Sequence, residues 1–162
     1  MLCFIFIQNH NAEPKLLIRR IISRQDRLSV AYCNEKLIFK KDINPFICTD
    51  ERFNIKFLLG IIASRFISYL YLRMSSIATK DDFRQTTLGE LRKLPIPILN
   101  IEDQRHIAGL VDQILAKKYI DNSADTIALE NEIDRLVYEL YGLTEEEIRI
   151  VEGAEHEISV RI

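Results

Sequence analysis

From Lys15 to Ile47 the apolar positions fall in short β-branched and aromatic runs broken by polar clusters, as in "KLLIRRIISRQDRLSVAYCNEKLIFKKDINPFI". That pattern predicts successive strands, with "NEK" between "LSVAYC" and "LIFKK" as a hairpin turn. A denser run follows. From Glu51 to Arg73 the chain is apolar nearly all round, with Phe53, Phe57, Leu58, Ile61, Ile62, Phe66, Leu70 and Tyr71. It predicts one buried helix lying against the sheet, capped by Thr49 or Asp50. The polar stretch "SSIATKDDFRQTT", Ser75–Thr87, is long for a structureless connection, and such loops are more often functional than accidental. "TLGE", Thr87–Glu90, has capping-box spacing and predicts a short helix through Lys93. In "LPIPI", Pro95 and Pro97 fix their own φ and push Leu94 and Ile96 out of the α region, which predicts an edge strand or a strap.

Beyond Asn100 the period becomes helical. Ile107, Leu110, Val111, Ile114 and Leu115 line one face of a helix from about Glu102 to Lys118, and Leu129, Ile133, Leu136, Val137 and Leu140 line a second from about Asp125 to Tyr141. Gly142 is placed for a C-cap, and Thr144 with Glu147 starts a short third helix. Two such helices joined by the turn "DNSAD" make an antiparallel hairpin whose apolar stripe needs a surface to lie against: its own domain, a second copy or a larger protein. The expected fold is α+β: a small mixed sheet with a buried helix, residues 1–100, then a helical hairpin, residues 101–152, and a tail, residues 153–162.

Composition changes this picture little. At 162 residues, 48% hydrophobic and 28% charged, the chain has the length and make-up of an ordered domain with a real core. Cys3, Cys33 and Cys48 are odd in number, widely spaced and set among apolar neighbours, the pattern of reduced thiols rather than a disulfide framework or a zinc site. The opening "MLCFIFIQNHN" lacks the basic start and long apolar core of a secretory signal, and "FLLGIIASRFISYLYL" is interrupted by Arg65, so the cytoplasm is the expected compartment.

Charge matters more. Residues 1–100 carry 16 Lys and Arg against 9 Asp and Glu, a surplus of 7 positive charges; residues 101–162 carry 6 against 15, a deficit of 9. Two such halves meet different partners or attract each other across a seam.

A search for catalytic chemistry fails. "NPF", Asn44–Phe46, lacks a proline of the amino-methyltransferase signature, and five glycines with no cluster leave no phosphate-cradling loop. "NHN", Asn9–Asn11, is no metal-nuclease motif, His10, His106 and His156 are scattered, and "DERFNIK", Asp50–Lys56, reads as a capping turn rather than a nuclease core. No Ser-His-Asp or Cys-His arrangement has support. The expectation is therefore a binding module with no catalytic residues, metal or cofactor of its own.

The positive charge points to what it binds. Arg19, Arg20, Arg24, Gln25 and Arg27 lie in or beside the first strand pair, Lys36, Lys40 and Lys41 on the next, and Lys80, Arg84, Gln85 and Thr86 in the long loop beside Thr87. Arginine and glutamine can hold phosphates and read base edges. Taken singly each is better read as a solvated strand residue; the cluster is the signal.

Three segments, "FLLGIIASRFISYLYLRMSS", "TTLGELRKLPIPILNIEDQRHIAGLVDQIL" and "LENEIDRLVYELYGLTEEEIRIVEG", together resemble the C-terminal specificity domain of TaqI-like and type IIG restriction-modification enzymes. The middle one is also similar to the end of a target recognition domain in type I restriction specificity subunits, where a proline-containing strand leads into a Gln-containing spacer helix. The resemblance covers roughly Phe57–Gly153, and "VYELYGLTEEE" is its most specific part. It implies recognition of a double-stranded DNA sequence on behalf of a methyltransferase or nuclease elsewhere, with no catalysis in this chain. The family domain normally follows a methyltransferase module, so a fragment, a remnant and a stand-alone specificity protein all stay open. The expected partners are DNA and a methyltransferase or restriction subunit, or a second copy, with no membrane. Ile107, Leu110, Val111, Ile114, Leu129, Ile133, Leu136 and Val137 are the expected docking face. The alternative is an assembly subunit that works through this hairpin and ignores DNA.

Overall fold

A computed structural model describes residues 14–22, 25–37, 41–75 and 84–153. Its strands are β1 (Lys15–Arg19), β2 (Val30–Cys33) and β3 (Ile43–Phe46); its helices are α1 (Ile55–Ala63), α2 (Arg65–Met74), α3 (Leu88–Leu91), α4 (Ile101–Ile120), α5 (Ile127–Tyr141) and α6 (Glu145–Val151). The sheet is antiparallel in the order β2-β1-β3, with Leu16 opposite Tyr32 and Phe46, and Ile18 opposite Val30 and Asn44. Alternation puts Leu16 and Ile18 into the core. Pro45, which has no N–H to give a ladder, lies in an edge strand, where it is tolerated. The expected "NEK" hairpin is not how β2 pairs: its partner is β1, and β3 pairs β1 from the other side. Residues 38–40 of the expected strand "LIFKK" lie outside the described residues.

The single helix expected over Glu51–Arg73 is two helices, bent by 64° at Ser64. Ser64 is extended (φ −65°, ψ 156°); its hydroxyl donates to the Ile61 carbonyl at 2.7 Å and accepts from Ile67 N at 3.3 Å. One serine thus ends α1 and caps α2, a local alternative to helical hydrogen bonding that the apolar pattern hides. The cap of α1 is Asn54, whose side chain accepts from Lys56 N at 2.8 Å, rather than Thr49 or Asp50. Asp50 instead accepts from the Arg52 backbone and guanidinium, the capping turn read from "DERFNIK". The "LPIPI" segment forms no strand; it is a strap that buries Leu94 and Ile96, with Tyr141 donating to the Pro95 carbonyl at 2.5 Å.

α1 is the hub. Phe57, Leu58 and Ile61 are 0% exposed, each side chain contributing roughly 1.5–3 kcal/mol by burial. At Gly60 an added Cβ would lie 2.5 Å from Ile107 Cγ2 and 3.3 Å from Val111 Cγ2, so a glycine is what lets α1 and α4 approach. Gln104, fully buried on α4, ties its helix to the turn before α1. Its Oε1 accepts from Asn54 N at 2.8 Å, and its Nε2 donates to the carbonyls of Arg52 (2.7 Å) and Leu99 (2.9 Å). One apolar core runs from Leu16 and Ile18 through α1 to Ile107, Val111, Ile133 and Val137, across the boundary expected at residue 100.

That continuity corrects the expected docking face. Ile107, Leu110, Val111, Ile133 and Val137 are buried within the chain, and Ile114, Leu129 and Leu136 are partly buried against the same core. Of the three surfaces the stripe needed, its own domain supplies the cover. Charge follows the same seam: Arg27 and Arg65 pair with Asp134, and Lys56 with Asp112, so cations of the first half meet acids of the second. The hairpin caps fit the pattern that announced them. Gly142 closes α5 at φ 67°, and Thr144 and Glu147 complete a capping box at α6. No single helix among the described residues is long and apolar enough to cross a membrane.

Candidate nucleic-acid interface

Beyond Arg19 the chain of β1 bends at Arg20 and runs on to Ile22, and three segments converge on it. Arg19 N donates to the Ser29 carbonyl (2.9 Å) and Arg20 N to the Asp42 carbonyl (2.8 Å). Thr86 N donates to the Arg20 carbonyl (2.7 Å) and Ile22 N to the Arg84 carbonyl (3.0 Å), with Ile21 bridged to Gln85. Residues 84–86 therefore extend the sheet at this end. The arrangement gathers Arg19, Arg20, Gln25, Lys41, Arg84 and Gln85, far apart in sequence, around one end of β1. Arg19, Gln25 and Lys41 are exposed and Arg20, Arg84 and Gln85 half-buried. Arg20 Nε donates to Gln85 Oε1 at 3.1 Å, and Arg84 is ion-paired to Asp26, a residue held at φ 58°.

Two candidates are used otherwise. Arg27 turns inward: its guanidinium donates to the Ala63 carbonyl at 2.9 Å and to both carboxylate oxygens of Asp134 at 3.2 and 3.3 Å. Asp134, 2% exposed, also accepts from Arg65 N (2.8 Å) and Arg65 Nε (2.9 Å), so Arg27 neutralises a buried carboxylate rather than facing a ligand. Thr86 is 2% exposed; its hydroxyl donates to the Arg19 carbonyl (3.1 Å) and accepts from Asn44 Nδ2 (2.9 Å). It fastens the extension to the sheet instead of presenting a group outward. Lys36 follows β2, whose Cys33 pairs with Lys15 at the opposite end of β1. Arg24, Lys40 and Lys80 lie outside the described residues.

Polar residues that sequence reasoning passed over hold the extension in place. Glu90 Oε2 accepts from Ser75 Oγ (2.6 Å), Tyr71 Oη (3.0 Å) and Thr87 Oγ1 (3.1 Å). Tyr71 Oη accepts in turn from Thr87 N at 2.9 Å. One carboxylate thus ties the end of α2 to the start of α3. Of the capping box expected in "TLGE", the threonine half is present, accepting from Glu90 N at 3.3 Å, while the glutamate serves this clasp. Partial burial raises the Glu90 pKa, but the three hydroxyl donors and the charge of Lys93 outweigh it and hold the carboxyl below its ordinary value. Burial is the main reason the Tyr71 phenol is raised, so it serves as a neutral donor. The paired hydroxyls were the available signal; their partners lie too far along the chain for spacing to reveal them. Among the described residues no group of three or more His, Cys, Asp or Glu could hold a metal ion.

Cations and amides supplied by three separate segments thus stand at one end of a small antiparallel sheet braced by helices. The chain belongs to the family of TaqI-like C-terminal specificity domains, whose model matches residues 6–96 of the 162. It is also 45% identical over 132 residues to a protein of Methanocaldococcus jannaschii described as a "putative type II restriction enzyme and methyltransferase". That alignment covers 78% of this chain and 11% of the relative, so the chain spans about a ninth of the relative's length.

Proposed function

We propose that this chain recognises a DNA sequence and positions it for a methyltransferase or nuclease carried elsewhere in the polypeptide or complex, taking no part in the chemistry itself. The observation that carries this reading is the convergence of Arg19, Arg20, Lys41, Arg84 and Gln85 at one end of the sheet in a member of a specificity-domain family. Phosphate contacts from several cations make affinity fall with salt, at a log-log slope of about −0.9 per contact. Titration of a labelled randomised duplex pool at two salt concentrations tests it. The expected result is micromolar or tighter binding at ~50 mM salt with a slope of several units; no binding under those conditions overturns the reading.

The partner is a methyltransferase or restriction subunit, or a second copy, and the compartment the cytoplasm. The buried stripe of α4 and α5 is spent inside the fold. Tyr119, Ile120 and Ile127, 94%, 86% and 63% exposed, leave an apolar cluster for a partner at the turn of this hairpin.

A further inference from the structure

The hydrogen bond between Arg20 and Gln85 decides more than the position of two side chains. A guanidinium has donors and no acceptor, so Gln85 must turn its carbonyl oxygen toward Arg20, and the 3.1 Å Nε···Oε1 bond records that orientation. Gln85's remaining side-chain group is then its NH2, a donor. Arg20 has spent Nε and retains its two terminal NH2 groups, also donors; no carboxylate among the described residues forms an ion pair with it. The nearby acid Asp26 is engaged by Arg84, and Asp42 meets Arg20 through its backbone carbonyl. Backbone contacts on both sides fix the pair: Thr86 N donates to the Arg20 carbonyl, and Ile21 is bridged to Gln85. Both residues are half-buried, so they are held yet reachable.

A pair whose free groups, the terminal NH2 groups of Arg20 and the NH2 of Gln85, are donors favours a partner edge made of acceptors. In the major groove guanine presents N7 and O6, both acceptors. Adenine sets an N6 donor beside its N7, cytosine shows a donor at N4, and thymine pairs one acceptor with a methyl group. We propose that Arg20 and Gln85 form one reading unit for the acceptor edge of guanine, an inference that rests on the DNA-recognition reading above. A backbone phosphate shares the acceptor chemistry but carries no sequence information, and the experiment separates the two.

Duplexes are first selected from a random pool with the full 162-residue chain. Each fixed guanine is then replaced in turn by 7-deazaguanine, which lacks the N7 acceptor, leaving the protein untouched. At one position the replacement weakens wild-type binding roughly fivefold or more, in line with a bidentate contact. Arg20→Ala and Gln85→Ala lose the dependence at that position and keep it at the others. Gln85→Glu, which exchanges the amide donor for an acceptor, shifts the preference there from guanine toward cytosine. The proposal is overturned if the selected duplexes hold no fixed guanine, or if each 7-deazaguanine penalty is the same in wild type and Arg20→Ala. It is equally overturned if Arg20→Ala weakens all duplexes alike with a shallower salt slope, which marks a phosphate contact. Failure to bind any duplex at low salt instead overturns the DNA-recognition reading, and this inference with it.

Discussion

The end of β1 and the α4–α5 hairpin use the same kinds of residue for opposite purposes. Arg20 and Arg27 lie seven positions apart in one basic run. The first is half-buried and bonded to a neutral amide; the second is locked onto the buried Asp134 together with Arg65. The hairpin's stripe of Ile107, Val111, Ile133 and Val137, which by pattern alone awaits a partner, is closed off by α1 of the same chain. A residue's type and spacing announce what it can do; whether it is still available depends on a neighbour that sequence distance conceals.

The sharpest way to break the comparison is Ile133→Asp. An isolated carboxylate placed at a position 5% exposed, against Gly60 and the α4 face, costs on the order of 3–5 kcal/mol. The expected outcome is loss of cooperative thermal unfolding. A variant that stays fully folded and changes only its mass in light scattering would restore the stripe as an interface.

Asp134→Ala comes next. It leaves two guanidiniums at the seam without their carboxylate, but Arg27 and Arg65 keep 26% and 41% of their side chains exposed, so water screens part of the loss. About 2 kcal/mol of stability should disappear in urea denaturation, below the usual cost of breaking a fully buried pair. Arg27→Ala should lower stability in the same assay while leaving the salt slope of DNA binding unchanged. A slope reduced by about 0.9 would return Arg27 to the interface.

Gly60→Ala probes the contact that closes the hairpin off. A single methyl 2.5 Å from Ile107 Cγ2 forces α1 and α4 apart or Ile107 off its rotamer, at a cost of about 1–3 kcal/mol. The same change at Gly109, where an added Cβ would meet no atom within 4 Å, should be neutral or slightly stabilising. Equal effects at the two sites would mean that the close approach of α1 to α4 is not what Gly60 provides.

Periodicity made α4, α5 and the strand region around β1 legible, because a one-sided apolar face is written directly into residue spacing. It missed the break at Ser64, since α1 and α2 are both apolar and the bend comes from one hydroxyl bonding on both sides of itself. It missed Gln104 for a related reason: on a helical wheel it reads as one more polar residue, while its amide satisfies three backbone groups from two other segments. At the interface, composition marked the basic run and the Arg84–Thr86 segment. What joins them is an antiparallel extension spanning more than sixty residues, and neither charge nor propensity specifies that pairing. Thr86 and Arg27 therefore looked like Gln85 and Arg20 until their partners were known.

The smallest expected effect concerns the clasp that holds the extension. Glu90's carboxyl lies below its ordinary value of 4.5 in the folded chain because Ser75, Tyr71 and Thr87 donate to its charged form. A depressed folded-state pKa contributes stability that is fully present above the unfolded value and is lost as pH falls through the folded one. Wild type should therefore exceed Glu90→Gln in stability at neutral pH by about 1 kcal/mol, the margin between hydrogen bonds to a charged and a neutral acceptor. That margin should close as pH drops below 4.5, where the clasp carboxylate takes up its proton. Comparing the two proteins at each pH cancels the other carboxylates held low by surface partners, among them Asp50 and Glu147. Thermal midpoints from pH 7 to pH 3 measure the margin directly. If it is constant across that range, Glu90 contributes by shape alone, and the link between α2 and α3 does not depend on its charge.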